Sequence, residues 1–287
     1  MWTPTLEKTT MVNKMTHNRF IYIRDAIAVL VDQFKREAQD VHTDTWQGVN
    51  ISHRPEAKMK ELMNVTMAFD VGDRTPSILA QATECHMPWA EDHFQERVCG
   101  KPINPGIQWE KWPYANKADE FRSGGKFNHN YMERYWPKYA GHQFPTRTPE
   151  EYEETAVMQP LKWGIYHHYG DLDDVVELIG RDPLTRQAYL PVFFPEDTGA
   201  MHGDRVPCTL GYHFMVRNDE LHMVYYLRSC DLVRHFRDDI YLSVRLQMWV
   251  VEQLRERFGE RWLRVKPGSF TMHITSLHCF VNDFRSL

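Results

Sequence analysis

Residues Arg205 to Tyr241 read RVPCTLGYHFMVRNDELHMVYYLRSCDLVRHFRDDIY, and this stretch decides the fold. Val206 to Val216 and Leu221 to Arg228 are rich in β-branched and aromatic residues, and Arg217-Asn218-Asp219-Glu220 between them supplies turn residues, so the spacing predicts a hairpin. The apolar-periodic run Ile240 to Leu254 that follows predicts a long buried helix. Pro207 cannot donate to a central ladder, which places Cys208 at a strand start or a sheet irregularity, where a thiol can face a cavity. A lone cysteine is more often a small buried hydrophobe. Arg228 changes that balance, because a guanidinium lowers a thiol pKa and its geometry also suits phosphate oxygens.

The rest of the composition narrows the class. At 287 residues with 42% hydrophobic content the chain can bury a large core, and nothing in it divides into halves, so one domain over 1–287 is expected, with 1–18 as an irregular arm. A net charge of −5 and a pI near 6.3 leave no basic footprint for nucleic-acid backbone, so a free nucleotide is the better ligand class. Five irregularly spaced cysteines suggest neither a disulfide framework nor a zinc site, and fifteen scattered histidines, Tyr166-His167-His168 included, suggest no catalytic metal. With no signal-peptide pattern and no apolar run long enough to span a bilayer, the expected location is a reducing cytoplasm, the host's if the chain is viral.

At Pro207-Cys208, Arg228-Ser229-Cys230-Asp231 and the downstream Asp239, the sequence resembles the thymidylate synthase superfamily, whose signature is Pro-Cys before a strand and Arg-Ser-x-Asp after a hairpin. Eight positions after that aspartate, thymidylate synthases proper carry an asparagine that pairs with the uracil edge. Here the position is Asp239, in Phe236-Arg237-Asp238-Asp239, similar to the viral deoxycytidylate hydroxymethylases. Uracil shows a carbonyl at C4 and a hydrogen on N3, which an amide complements; cytosine shows an amino group and a bare N3. A carboxyl group accepts from that amine, and a proton shared with N3 completes the pair. The alternative for Asp239 is a helix N-cap.

Other segments extend the resemblance. Gly125-Lys126-Phe127-Asn128-His129-Asn130-Tyr131 is close to the hydroxymethylase run Gly-x-x-Asn-x-Asn-Tyr, with Tyr131 lining the nucleotide cavity. Ile107-Gln108-Trp109-Glu110-Lys111-Trp112 resembles the tryptophan segment at the folate pocket, which implies cofactor contacts for Trp109 and Trp112. The family has a glutamate on the preceding helix that organises water; Glu91 is the match and Glu84 the runner-up, against a plain surface carboxylate. Asp182-Pro183-Leu184-Thr185-Arg186-Gln187 resembles Asp-Pro-x-Ser-Arg-Arg, whose two arginines cross to the partner's phosphate in the dimer; only Arg186 is kept, and Arg54 or Arg237 would compensate for Gln187. Arg54 matches a phosphate-binding N-terminal arginine by location alone, and a solvated arginine reads equally well. Ser276-Leu277-His278 matches the sugar-binding segment, where His278 is retained but Phe280 stands at the tyrosine position, which leaves ribose as an alternative sugar.

The elements read around these motifs are a helix over Arg19 to Glu37, a buried strand over Leu62 to Val71, and a helix over Ser77 to Phe94 interrupted near Pro88. A polar loop over Gly141 to Glu154, a helix over Asp171 to Gly180 and a strand over Ala188 to Phe194 complete them. The resemblance implies an α+β fold with a large mixed β-sheet flanked by helices, and a homodimer joined sheet to sheet. It also implies a mechanism. Cys208 adds to C6 of the pyrimidine and turns C5 into a nucleophile. Arg228, Ser229 and the partner's Arg186 hold the phosphate, Asp231 helps fix the base, and Asp239 reads it. C5 then takes a one-carbon unit from 5,10-methylenetetrahydrofolate, and water capture gives the 5-hydroxymethyl nucleotide. The alternatives are a CMP hydroxymethylase, a dCMP methylase, and a non-catalytic relative that binds nucleotide or RNA.

Overall fold

The computed structural model describes residues 17–20, 22–41, 44–46, 49–113, 122–123, 125–127, 129–137, 170–194, 197–198, 206–285 and 287. The first sixteen residues of the expected arm, the expected loop Gly141 to Glu154, Asn128 and Tyr166-His167-His168 lie outside them.

The hairpin is the centre of a seven-stranded mixed sheet. Its strands are β1 (His17–Phe20), β2 (Gln39–Val41), β3 (Met59–Asp70), β4 (Tyr189–Pro191), β5 (Thr209–Arg217), β6 (Glu220–Asp231) and β7 (Lys266–Phe280). The order across the sheet is β1-β3-β7-β6-β5-β4, with β2 beside β3. The pairs β1/β3 and β6/β7 are parallel, and the others are antiparallel. The turn between β5 and β6 has positive φ at both Asn218 and Asp219, the geometry that lets a two-residue connection follow strand twist, and Asn and Asp tolerate it. Gly211 lets edge strand β4 close on the sheet, since a Cβ there would meet the Tyr189 hydroxyl and the Leu190 carbonyl at 2.3 and 2.6 Å.

On β6, Leu221, Met223, Tyr225 and Leu227 are buried while His222, Val224, Tyr226 and Arg228 are half-buried, so one face of the sheet carries the core and the other is only partly covered. The core face is covered by α6 (Phe236–Phe258), which is buried on most of its circumference, as the sequence predicts, but starts earlier and ends later than Ile240 and Leu254. Against it pack α2 (Pro76–Thr83), α3 (Trp89–Arg97) and α5 (Leu172–Arg181), while α1 (Ile23–Glu37) lies on β3 and α2, α4 (Tyr131–Tyr135) lies on α3, and α7 (Val281–Phe284) follows β7. Pro88 separates α2 from α3 as expected. Asp171 caps α5 through a reciprocal capping box with Asp174.

Two boundaries differ from the sequence reading. His17 to Phe20 form a strand parallel to β3, where an arm ending at Asn18 and a helix beginning at Arg19 were expected. Backbone pairing to β3 outweighs helix propensity there, and helical spacing takes over only at Ile23, with Ala26, Ile27, Leu30 and Phe34 buried and Val29 turned outward. The expected strand Ala188 to Phe194 is regular only over β4, because the chain then turns back at Asp197.

That turn fixes α4. Arg134 makes two hydrogen bonds to the Asp197 carboxylate, at 2.7 and 2.9 Å, with both side chains buried and the guanidinium over the Phe194 ring. Removing one partner leaves a buried charge uncompensated, so Asp197→Ala is expected to lower stability by about 3–5 kcal/mol in denaturant unfolding. An unchanged midpoint would show that α4 is held by other contacts.

Candidate active site

The site grows from the place where β5 begins. Cys208 lies just before Thr209, half-buried, and the ladder between β5 and β6 slips its register at Tyr226/Leu227, so both sequence expectations for Pro207-Cys208 hold. Arg228 staples this corner. Its Nε donates to the Pro207 carbonyl at 2.8 Å, its Nη2 to the Val206 carbonyl at 3.0 Å, and Nη2 lies 3.9 Å from the Cys208 sulfur. The guanidinium therefore both positions the thiol and sets a positive charge beside it.

Under the thiol runs a chain of hydroxyls. The Thr209 hydroxyl is 3.0 Å from the Tyr131 hydroxyl and 2.8 Å from that of Tyr225, and the Tyr135 hydroxyl donates to that of Tyr212 at 3.1 Å. Burial pushes all four phenols upward, so they remain neutral donors. For Tyr131 the next causes are Cys208 and then Asp239, which brings those two groups to one neighbourhood.

Asp239 sits in the fourth position of α6, while His235 is the residue before the helix, so Asp239 does not serve as the N-cap. One carboxylate oxygen is 3.5 Å from the Cys230 sulfur. Burial pushes its carboxyl from 3.8 up to about 7; Arg97 opposes this, and Asp238 and Asp231 add to it. The adjacent Asp238 is turned away, accepting from the His86 backbone at 2.8 Å and lying 2.9 Å from its ring nitrogen.

Next to this corner, Asp231 and His278 stand opposite each other on β6 and β7. One Asp231 oxygen accepts from the Val233 and Arg234 backbones at 2.9 Å, which fixes the turn into α6. His278 lies 3.3 Å from the Ser229 hydroxyl; burial lowers its pKa and Asp231 opposes that. Phe280 packs under the Arg234 guanidinium, 4.4 Å away. Arg228, Ser229, Asp231 and His278 thus form one polar group beside Cys208.

The tryptophan segment forms an aromatic wall. Trp109 packs edge-on to His93 and Trp112, Trp112 stacks on His235 at the head of α6, and Trp89 stacks on His93. Trp109 Nε1 and Gln108 Oε1 are buried and lack hydrogen-bond partners among the described residues. Stacking faces with an unsatisfied donor and acceptor fit a flat, heteroatom-rich ring system such as a pterin.

Other expected residues fall elsewhere. Glu91 accepts two hydrogen bonds from Arg245 and one from Tyr241, an arrangement that offsets burial and lowers its pKa; no described contact joins it to Cys208, Asp239 or Tyr131. Glu84 ends α2 and pairs with Arg237 at 2.8 Å, and both line a groove with Arg24 and Lys35 between α1 and the start of α6. Arg54 is exposed at the start of a turn. Arg186 is exposed beside β4, its carbonyl 3.0 Å from His213 Nε2. Four contributors went unread in the sequence: Thr209, Tyr225, His93 and Arg97. The first two are legible in hindsight as the inward neighbours of Cys208 on the hairpin. His93 and Arg97 carry only an i, i+4 spacing on α3.

The family model for thymidylate synthase matches residues 33–287. A Methanococcoides burtonii protein assigned as a thymidylate synthase is 23% identical over 176 residues, 61% of this chain and 71% of that protein. The deoxyuridylate hydroxymethyltransferase of Bacillus phage SP01 is 32% identical over 204 residues, 64% of this chain, and the match spans under half, 46%, of the phage protein. Among the described residues no helix is long and apolar enough to cross a membrane. With the mixed sheet, the Pro-Cys corner and the Arg-Ser-x-Asp turn in place, the chain belongs to the thymidylate synthase family and is a folate-dependent one-carbon transferase.

Proposed function

We propose that the protein is a deoxycytidylate C5-hydroxymethyltransferase, converting dCMP to 5-hydroxymethyl-dCMP. The observation that carries this reading is the Asp239 carboxyl, with a pKa pushed up to about 7, in the electrostatic neighbourhood of Cys208. Such a group holds a proton that cytosine N3 can share while its other oxygen accepts from the 4-amino group. Protonation at N3 draws electrons from C6 and lowers the barrier to thiolate attack.

Cys208 is the nucleophile: its sulfur bonds to C6, the electron pair moves to C5, and the ring becomes an enamine. Arg228 and Ser229 bind the 5′-phosphate, His278 the sugar, and Asp231 holds the base through the turn it fixes. Tyr131, Thr209 and Tyr225 form the hydroxyl chain that moves the C5 proton. Trp109 and Trp112 hold methylenetetrahydrofolate, which supplies the one-carbon unit when bound. Loss of the C5 proton through that hydroxyl chain releases tetrahydrofolate, water adds to the exocyclic carbon left on C5, and the returning electron pair expels the Cys208 sulfur from C6, which leaves a hydroxymethyl group on the restored ring. The half-covered sheet face, with His213, Met215, Val224 and Tyr226, supports a sheet-to-sheet homodimer in which the exposed Arg186 reaches the partner's phosphate.

A second reading, a deoxyuridylate substrate, is favoured by the name of the phage relative. Mass spectrometry of products from dCMP, CMP and dUMP, each incubated with methylenetetrahydrofolate, decides between them. The expected result is a gain of one hydroxymethyl group on dCMP; product from CMP or dUMP alone, or a methyl product, would overturn the reading.

A further inference from the structure

Removal of the C5 proton needs a base, and the hydroxyl chain beside Cys208 is built from phenols and an alcohol that are neutral at rest. A phenol takes a proton from carbon only after giving up its own, and its ring then carries negative charge. A cation over the face of that ring stabilises the phenolate more than the phenol, because the charge of the anion spreads into the ring. A buried cation with no anion of its own would serve such a step.

Arg97 meets that description. It is buried at the end of α3, and its guanidinium lies 4.1 Å over the ring of Tyr131. Among the described residues no carboxylate pairs with it; its Nε donates instead to His93 Nε2 at 3.0 Å. His93 is fully buried, stacked on Trp89 and edge-on to Trp109, with its other nitrogen 3.4 Å from the Glu96 carboxylate. Burial, reinforced by Arg97, pushes the His93 pKa down to about 4, so it stays an uncharged acceptor. A carboxylate in its place would cancel the cation, whereas the imidazole holds Arg97 and leaves its charge for the phenol. The Tyr131 hydroxyl is 3.0 Å from that of Thr209, the residue after Cys208. The groups that face Tyr131 are Arg97 from α3, Cys208 and Thr209 at the start of β5, Asp239 from α6, Tyr135 on α4 and His129 just before it. Arg97 is the one permanent cation among them.

We propose that Arg97 is the positioning residue for removal of the C5 proton: held by His93 over the ring of Tyr131, its charge lets that phenol become the base. This rests on the reading of Tyr131 as part of the chain that moves the proton. Tyr131 first gives its hydroxyl proton to water. The C5–H bond then breaks, the proton joins the phenolate oxygen, and the electron pair forms the double bond from C5 to the transferred carbon. The bond from that carbon to the folate nitrogen breaks in the same step, and its pair stays on the nitrogen, which takes a proton from water. While the phenolate lasts, Thr209 donates its hydroxyl to it and accepts from Tyr225 at 2.8 Å.

The test uses the full chain with a difluorinated tyrosine at position 131, a more acidic phenol whose phenolate is followed by its near-ultraviolet absorbance. In the nucleotide-free protein, Arg97→Met is expected to raise the pH midpoint of that phenolate by about one unit or more, and Arg97→Lys by less. His93→Glu, which sets an anion against Arg97, raises it as well and serves if Arg97→Met does not fold. Tritium release is measured from both C5-labelled dCMP and C5-labelled dUMP, so an error in the assigned base leaves the test intact. With ordinary tyrosine at 131, Arg97→Met slows release by about tenfold or more while the nucleotide KM stays within about threefold of the parent. With the fluorinated residue the same variant regains most of the lost rate, because the fluorines acidify the phenol as the cation does. A variant disturbed only in its packing would gain nothing from them. A midpoint unmoved in both Arg97→Met and His93→Glu, or a slowed release that the fluorines do not restore, overturns the proposal. A moved midpoint together with release at the parent rate in Tyr131→Phe overturns it through the reading it rests on, by taking Tyr131 out of the proton path.

Discussion

Cys208→Ser is expected to abolish tritium release from C5-labelled dCMP, with a loss of roughly four orders of magnitude or more in turnover. The serine hydroxyl fits the corner between Pro207 and Thr209, and Arg228 keeps its bonds to the Val206 and Pro207 carbonyls, so the site keeps its shape. What disappears is the sulfur nucleophile, since a hydroxyl is a far weaker acid than a thiol and remains protonated at neutral pH. Tritium release depends on C5 becoming carbanion-like after addition at C6, so it reads the covalent step without the one-carbon transfer. Nucleotide affinity should change by only a few fold. Release at the parent rate would remove the sulfur from the mechanism.

The second large effect belongs to Asp239→Asn. An amide at this position offers its NH2 to uracil O4 and its carbonyl to N3–H, and unlike a carboxyl group it cannot pass a proton to the bare N3 of cytosine, which the thiolate attack requires. The ratio of kcat/KM for dCMP over dUMP is expected to fall by about 10²- to 10⁴-fold, somewhat less than the roughly 10⁴- to 10⁵-fold by which a site built to hydrogen-bond one group rejects an analogue lacking it. Steady-state rates with both nucleotides measure it. A variant that keeps the full preference for cytosine would show that the base is read elsewhere, and the carboxyl at 239 would then need another purpose for its raised pKa.

The two predictions divide the chemistry cleanly. One concerns a sulfur set beside Arg228 by strand geometry; the other concerns a carboxyl placed by the first turn of α6. Both lie on the same contiguous stretch, which explains why so much of the site was legible early. A hairpin brings positions 208 and 228 together by pairing alone, and the backbone amide of Arg228 donates to the Cys208 carbonyl at 2.9 Å. The turn at 231–234 then delivers residue 239 to the same corner, because Asp231 holds the chain with two backbone hydrogen bonds.

Glu91 illustrates the opposite case. A carboxylate on a helix near the tryptophan segment is visible in sequence, but the direction it faces depends on where α3 meets α6. The Arg245 guanidinium, 154 positions away, takes both its oxygens, so Glu91 fastens one helix to the other. His93 and Arg97 stand on the same helix, and they face the aromatic wall and Tyr131 instead. Nothing in their local sequence separates an arginine buried over a phenol ring from one in solvent.

The sequence by itself determined the hairpin of β5 and β6, the buried strand β3 and the helix α6, because alternation, turn chemistry and short-range pairing are local properties of the chain, and the motifs of the resemblance marked Cys208, Arg228, Asp231 and Asp239 within that stretch. Only the tertiary structure decided which charges surround Asp239, that Arg97 lies over the Tyr131 ring while Glu91 pairs with Arg245, and that Arg134 and Asp197 lock α4 in place. Those are contacts between elements distant along the chain, and the free energy of a buried charge depends on neighbours that folding alone brings together.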